Sequence, residues 1–127
     1  MLNLYREGES LEQAPLAQAM EWADLILVGP GIGTGNTAGE LVAYLLSNSR
    51  LPVVLDADAL NLIAREPALL QQASCPTVIT PHLGEMARLT GKSIAELKED
   101  LPAAALDFAK RFHTICVLKD ARTVVAP

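Results

Sequence analysis

The segment Gly29-Pro30-Gly31-Ile32-Gly33-Thr34-Gly35 follows directly on the apolar run Leu25-Ile26-Leu27-Val28. A buried strand that runs into a turn lacking side chains exposes backbone N–H groups, which an anionic ligand can approach closely. Asn36 and Thr37 come next and are placed to cap a helix through residues 38–46. The chemistry this layout suits is the holding of a phosphate or nucleotide. The loop matches neither common glycine fingerprint. A G-x-G-x-x-G motif starting at Gly29 would need glycine where Thr34 stands, and one starting at Gly31 would need it where Asn36 stands. Asp56 ends the next apolar run, about where a ribose-binding acid would fall, so a nicotinamide-type domain stays open on these residues. Gly91-Lys92-Ser93 resembles a P-loop tail, but Met86 stands where the leading glycine belongs. It reads instead as a helix-ending glycine followed by a capping serine.

Three further sets of polar residues close apolar runs in the same way. Asp56, Asp58 and Asn61 follow Val53-Val54-Leu55; Thr80, His82 and Glu85 follow Val78-Ile79; Lys119 follows Ile115-Cys116-Val117-Leu118. Asp58 is expected to cap the next helix, with Asp56 turned toward a cleft. His82, beside Pro81, could be an ordinary loop histidine, but its place at a run's exit three residues before Glu85 favours a site. His113 is expected to end a helix, where a cation suits the dipole, and has no chemical role. Trp22 and Met86 read as packing residues. Cys75, Cys116, His82 and His113 lack metal-ligand spacing.

The elements that must position these groups can be read from periodicity. A helix over residues 9–22, with Pro15 early in it, precedes a strand over 24–28 and a helix to about Ser47. A strand over 52–56 leads to a helix ending near Ala64 and a shorter one over 67–73. A third strand over 76–80 is followed by helices over 85–90, from Ser93 onward, and over 101–112. A fourth strand over 115–119, a turn at Asp120-Ala121-Arg122 and a fifth strand over 123–126 complete the pattern. This alternation predicts one α/β domain: a mostly parallel sheet with right-handed crossovers and helices on both faces, in three layers. Ligands of such sheets gather at the carboxyl ends of the strands, so the polar exits would share one edge.

Composition narrows the function. The chain has 127 residues, half of them hydrophobic, enough for one real core. Ten basic against fifteen acidic residues, with no basic stripe, argue against nucleic-acid or membrane-surface binding. Two isolated cysteines and a polar start fit a cytoplasmic protein with reduced thiols, and no apolar run approaches the ~18 residues of a membrane span.

Four strings in order carry a resemblance. They are Val28-Gly29-Pro30-Gly31-Ile32-Gly33, Leu55-Asp56-Ala57-Asp58-Ala59-Leu60-Asn61, Ile79-Thr80-Pro81-His82-Leu83-Gly84-Glu85-Met86 and Val117-Leu118-Lys119-Asp120-Ala121-Arg122-Thr123-Val124. Over about residues 20–126 the chain resembles the ADP- or ATP-dependent NAD(P)H-hydrate dehydratases of the ribokinase-like superfamily. The resemblance implies removal of water from hydrated nicotinamide cofactor, NADHX or NADPHX, driven by hydrolysis of ADP or ATP with Mg²⁺. It implies that Gly31, Gly33 and His82 meet the hydrated nucleotide, and that Asp56 and Asn61 support the site. Glu85 would organise Mg²⁺ indirectly. Lys119, Asp120, Ala121, Arg122 and Thr123 would hold the adenine nucleotide, although the family usually has glycine where Asp120 stands. It further implies a partial domain. Earlier strands and a glycine-rich G-x-G-D segment with the catalytic aspartate would lie outside the chain, the latter beyond Pro127. No catalytic residue is therefore expected within it, and alone it is expected to be inactive. A homo-oligomer is the implied assembly.

Overall fold

The computed structural model describes residues 24–120 and 124–127. The helix expected over 9–22, the packing of Trp22, and Ala121, Arg122 and Thr123 lie outside the described residues. Among the described residues five strands form one sheet in sequential order: β1 (Ile26–Val28), β2 (Val53–Leu55), β3 (Thr77–Ile79), β4 (Ile115–Leu118) and β5 (Val124–Ala126). The first four are parallel, with Val28, Leu55 and Ile79 in one register row. β5 returns antiparallel to β4, pairing Leu118 with Val124, as the short connection between them demands. The α/β class and mostly parallel sheet expected from the alternation are those observed.

Six helices join the strands: α1 (Asn36–Asn48), α2 (Asp58–Arg65), α3 (Ala68–Gln71), α4 (Leu83–Thr90), α5 (Ile94–Glu99) and α6 (Leu101–Phe112). When parallel strands are laid down in sequential order, right-handed crossovers put every connecting helix on the same face. The contacts agree: α1 touches α2, α2 touches α4, α4 touches α5, and α5 touches α6, so the helices form one layer. The core lies between that layer and the sheet residues Val28, Val53, Leu55, Ile79, Cys116, Leu118 and Ala126, all buried. Of the two helical layers expected, the described residues form one. The alternate strand positions face the other way, and there Leu27 is 62% and Val125 63% exposed.

Several helix ends depart from the sequence expectation. α1 is capped by Gly35 without a side-chain bond, so Asn36 and Thr37 lie inside the helix rather than at its cap. Asp58 does not cap α2. Ala57 occupies that position with φ +48°, and the Asp58 carboxylate is drawn to another partner. α4 begins two residues earlier than expected because His82 caps it. Gly91 ends α4 in the left-handed conformation and Ser93 caps α5 with Glu96, as a glycine stop followed by a serine start requires. His113 closes α6 at its C-terminus, as expected.

Candidate active site

The exits of β1 to β4 lie side by side along the carboxyl edge of the parallel strands. Gly29 leaves β1 with φ +138°, and a Cβ there would stand 1.6 Å from the Asp56 carbonyl oxygen. Only glycine lets the two exits pass so closely, and Asp56 N–H donates to Val28 C=O across the same gap at 3.1 Å. Gly31 and Gly33 also have positive φ, +75° and +78°, yet a Cβ on either would meet no atom of the described residues within 4 Å. Their bareness keeps room beside the loop.

That loop is tied down from α2. Gly33 N–H donates to Asp58 Oδ2 at 2.9 Å, and Arg65 Nη1 donates to the Thr34 carbonyl at 2.8 Å. An amide expected to be bare is thus satisfied by the protein's own carboxylate, so Gly33 offers space rather than a free donor. Asp58, Asn61 and Arg65 stand at i, i+3 and i+7, one face of a helix. Asn61 Oδ1 accepts from Arg88 Nη1 of α4 at 2.8 Å, locking the two helices together.

The next exit presents His82 and Glu85 as a reciprocal pair. Glu85 N–H donates to His82 Nδ1 at 3.2 Å, and His82 N–H donates to Glu85 Oε1 at 3.0 Å. Two orphan donors at the start of α4 are satisfied at once. Because Nδ1 accepts, the ring proton of the neutral imidazole sits on Nε2. Glu85 is buried while the His82 side chain is 56% exposed, so the ring reaches solvent from a fixed base. Gly84 makes room for it: a Cβ there would lie 3.0 Å from His82 Cε1.

Lys119 joins this group through the backbone. It bridges to His82 in parallel fashion, and its N–H donates to Pro81 C=O at 2.8 Å. Its ammonium reaches back over β3 to Asp56 Oδ1 at 3.1 Å. Burial alone would push the Asp56 carboxyl up. Hydrogen bonds from Thr80, Lys119 and the Ala57 amide, with the Lys119 charge, outweigh that and hold it below its ordinary value of 3.8.

The structure therefore brings Gly31, Gly33, Asp56, His82 and Lys119 to one edge of the sheet, with Glu85 behind His82 and Asn61 beside the loop. Asp120 follows Lys119 on the same side and is exposed. Sequence reasoning missed Arg65 and Arg88, and assigned Asp58 the wrong partner. The i, i+3, i+7 spacing on α2 was the available signal. Cys116 carries no chemistry: burial pushes its thiol up to about 11, away from the reactive thiolate.

A direct Mg²⁺ site does not fit the described residues. They contain no group of three or more His, Cys, Asp or Glu side chains able to hold a metal ion. Glu85 Oε1 accepts the His82 amide hydrogen, which fixes the carboxylate behind the ring. No helix among the described residues is long and apolar enough to cross a membrane.

A family model described as NAD(P)H-hydrate dehydratase, of the Carb_kinase type, matches residues 2–127. The chain belongs to this family. The bifunctional NAD(P)H-hydrate repair enzyme of Moorella thermoacetica is 39% identical over 88% of the chain and 21% of that protein. The corresponding Escherichia coli enzyme is 42% identical over 87% of the chain and 21% of that protein. The chain thus spans about a fifth of the length of these curated relatives. Among solved structures, the ADP/ATP-dependent NAD(P)H-hydrate dehydratase of Bacillus subtilis, co-crystallised with ATP and Mg²⁺ and soaked with CoA, superposes with a TM-score of 0.68. That match has 31% identity and covers 81% of this chain and 36% of the other. The dehydratase-family motifs read from about residue 20 thus belong to a match that starts at residue 2.

Proposed function

We propose that this chain is the part of an ADP-dependent NAD(P)H-hydrate dehydratase in which the hydrated dinucleotide and the adenine nucleotide meet. In that reaction the nucleotide's terminal phosphoryl group converts the substrate hydroxyl into a leaving group, and loss of phosphate restores the nicotinamide ring. The chain's residues supply position and charge. Gly31 and Gly33 leave space for the hydrated ring, His82 offers Nε2–H from a base fixed by Glu85, and Lys119 supplies the cation toward phosphate. Asp56 holds the Lys119 ammonium at the mouth of the site until an anion competes for it. Lys119 to Thr123 is the nucleotide-facing stretch, with Mg²⁺ entering alongside the nucleotide.

The observation that supports this reading is the backbone bridge between His82 and Lys119, which sets these two residues on adjacent strand exits. The exposed apolar residues Leu27 and Val125 on the sheet support a homo-oligomer as the working form. Sedimentation showing a monomer at high concentration would remove that part. For the reading itself, calorimetry should give saturable binding of both ADP and NADPH. A kinase of the same superfamily would instead bind and phosphorylate a sugar or a hydroxymethylpyrimidine, and that product would overturn the assignment.

A further inference from the structure

We propose that Arg65 and Arg88 form an anion subsite beside the glycine loop, which takes the diphosphate of the nicotinamide dinucleotide. Both guanidinium groups line one open cleft of about 600 Å³, together with Thr34, Asn61 and Ala64. Each is oriented by a neutral acceptor, Arg65 by the Thr34 carbonyl and Arg88 by the Asn61 amide oxygen, both at 2.8 Å. The ion pair of the described residues lies elsewhere, at Lys119–Asp56, and the Glu85 carboxylate faces the His82 ring rather than either arginine. In a chain with fifteen acidic and ten basic residues, two arginines sharing a cleft without a carboxylate among the described residues is an unusual arrangement. Asp58, the acid on the same face of α2, is engaged by the Gly33 amide. Neutral acceptors fix the two forks without cancelling their charge. Each guanidinium has five N–H donors and spends one here, which leaves planar donor edges suited to phosphate oxygens.

Position selects the ligand. Thr34 directly follows Gly33 in the loop, and Arg88 Nη2 lies 3.9 Å from where a Gly84 Cβ would stand, a point that is also 3.0 Å from His82 Cε1. The subsite therefore abuts Gly33 and His82, on the dinucleotide side of the site rather than the Lys119 side. The diphosphate is the anionic group that every nicotinamide dinucleotide carries. This inference rests on the dehydratase reading only for the identity of the ligand.

Calorimetry on the 127-residue chain with inorganic pyrophosphate, NADH and ADP tests it, using Arg65→Gln and Arg88→Gln. Pyrophosphate should bind, NADH should displace it, and each substitution should weaken both by about tenfold while leaving ADP affinity nearly unchanged. Arg65→Lys and Arg88→Lys, which keep the charge but not the fork, should recover part of the loss. Amide spectra confirm that each variant is folded. If that fails for a glutamine variant, its lysine counterpart decides: affinity equal to wild type contradicts the subsite. NADH bound equally by wild type and folded variants would overturn the subsite and leave the dehydratase reading standing. Arginine-dependent pyrophosphate binding without any competition from NADH would keep the anion site and sink the dinucleotide assignment. Displacement by ADP alone would move the site to the adenine nucleotide, and a wild-type chain that ignores pyrophosphate would end the proposal.

Discussion

His82 Nδ1 accepts the Glu85 amide hydrogen while the Glu85 carboxylate accepts that of His82, so the imidazole is fixed by the helix it starts. The residue that makes this possible is Gly84, whose missing side chain leaves the ring its place. Gly84→Ala should push the ring off the cap, costing about 1 kcal/mol in urea unfolding, the usual worth of a lost N-cap, and weakening NADPH binding. A variant with wild-type stability and affinity would show that the ring has slack. Asp56 makes a different prediction. Its folded carboxyl lies below 3.8, so its contribution to stability is complete well above that value and disappears as pH falls through the lower folded value. The stability gap between wild type and Asp56→Asn, at most about 1 kcal/mol for so exposed a pair, should therefore begin to shrink as pH nears 3.8 and close only below the lowered folded value. A gap unchanged from neutral pH down to the acid limit of folding would mean that Lys119 does not hold the carboxylate. His82, Glu85 and Lys119 were legible in the sequence because each stands just past an apolar run. Arg65 and Arg88 were not, because the acceptors that orient them belong to other segments, 31 and 27 residues away.

At the scale of elements, the strands and crossovers followed from apolar runs of two to four residues alternating with helical periodicity. Helix ends followed less well. Asn36 and Asp58 have capping chemistry, but Gly35 and Ala57 hold the caps, because the glycine loop and the Asp58–Gly33 bond decide where each helix starts. The β1–β2 exit is the tightest junction. Gly29→Ala would place a methyl group 1.6 Å from the Asp56 carbonyl and hold alanine at φ +138°, so the strands must part. The expected cost exceeds about 3 kcal/mol. Gly39, inside α1 with open space around it, is the control: Gly39→Ala should stabilise by about 0.5–1 kcal/mol. Equal effects from the two substitutions in chemical denaturation would contradict the role given to Gly29.

At the scale of the molecule, the fold class was readable because sequential parallel strands with right-handed crossovers admit few arrangements. The one helical layer that the described residues form follows from the same rule, since strand order 1-2-3-4 leaves the crossovers no reason to change face. Strand order was the quantity that local periodicity could not supply. Its functional consequence is the shared edge where the glycine loop, His82 and Lys119 end up together. The most direct measurement is an amide NMR titration of the 127-residue chain with NADPH and then with ADP. NADPH should shift Gly31, Gly33, His82 and Gly84, ADP should shift Lys119 and Asp120, and the two sets should meet at the His82–Lys119 bridge. Shifts gathered instead at the opposite end of the sheet, around Thr77, His113 and Thr114, would contradict a site at the strand exits.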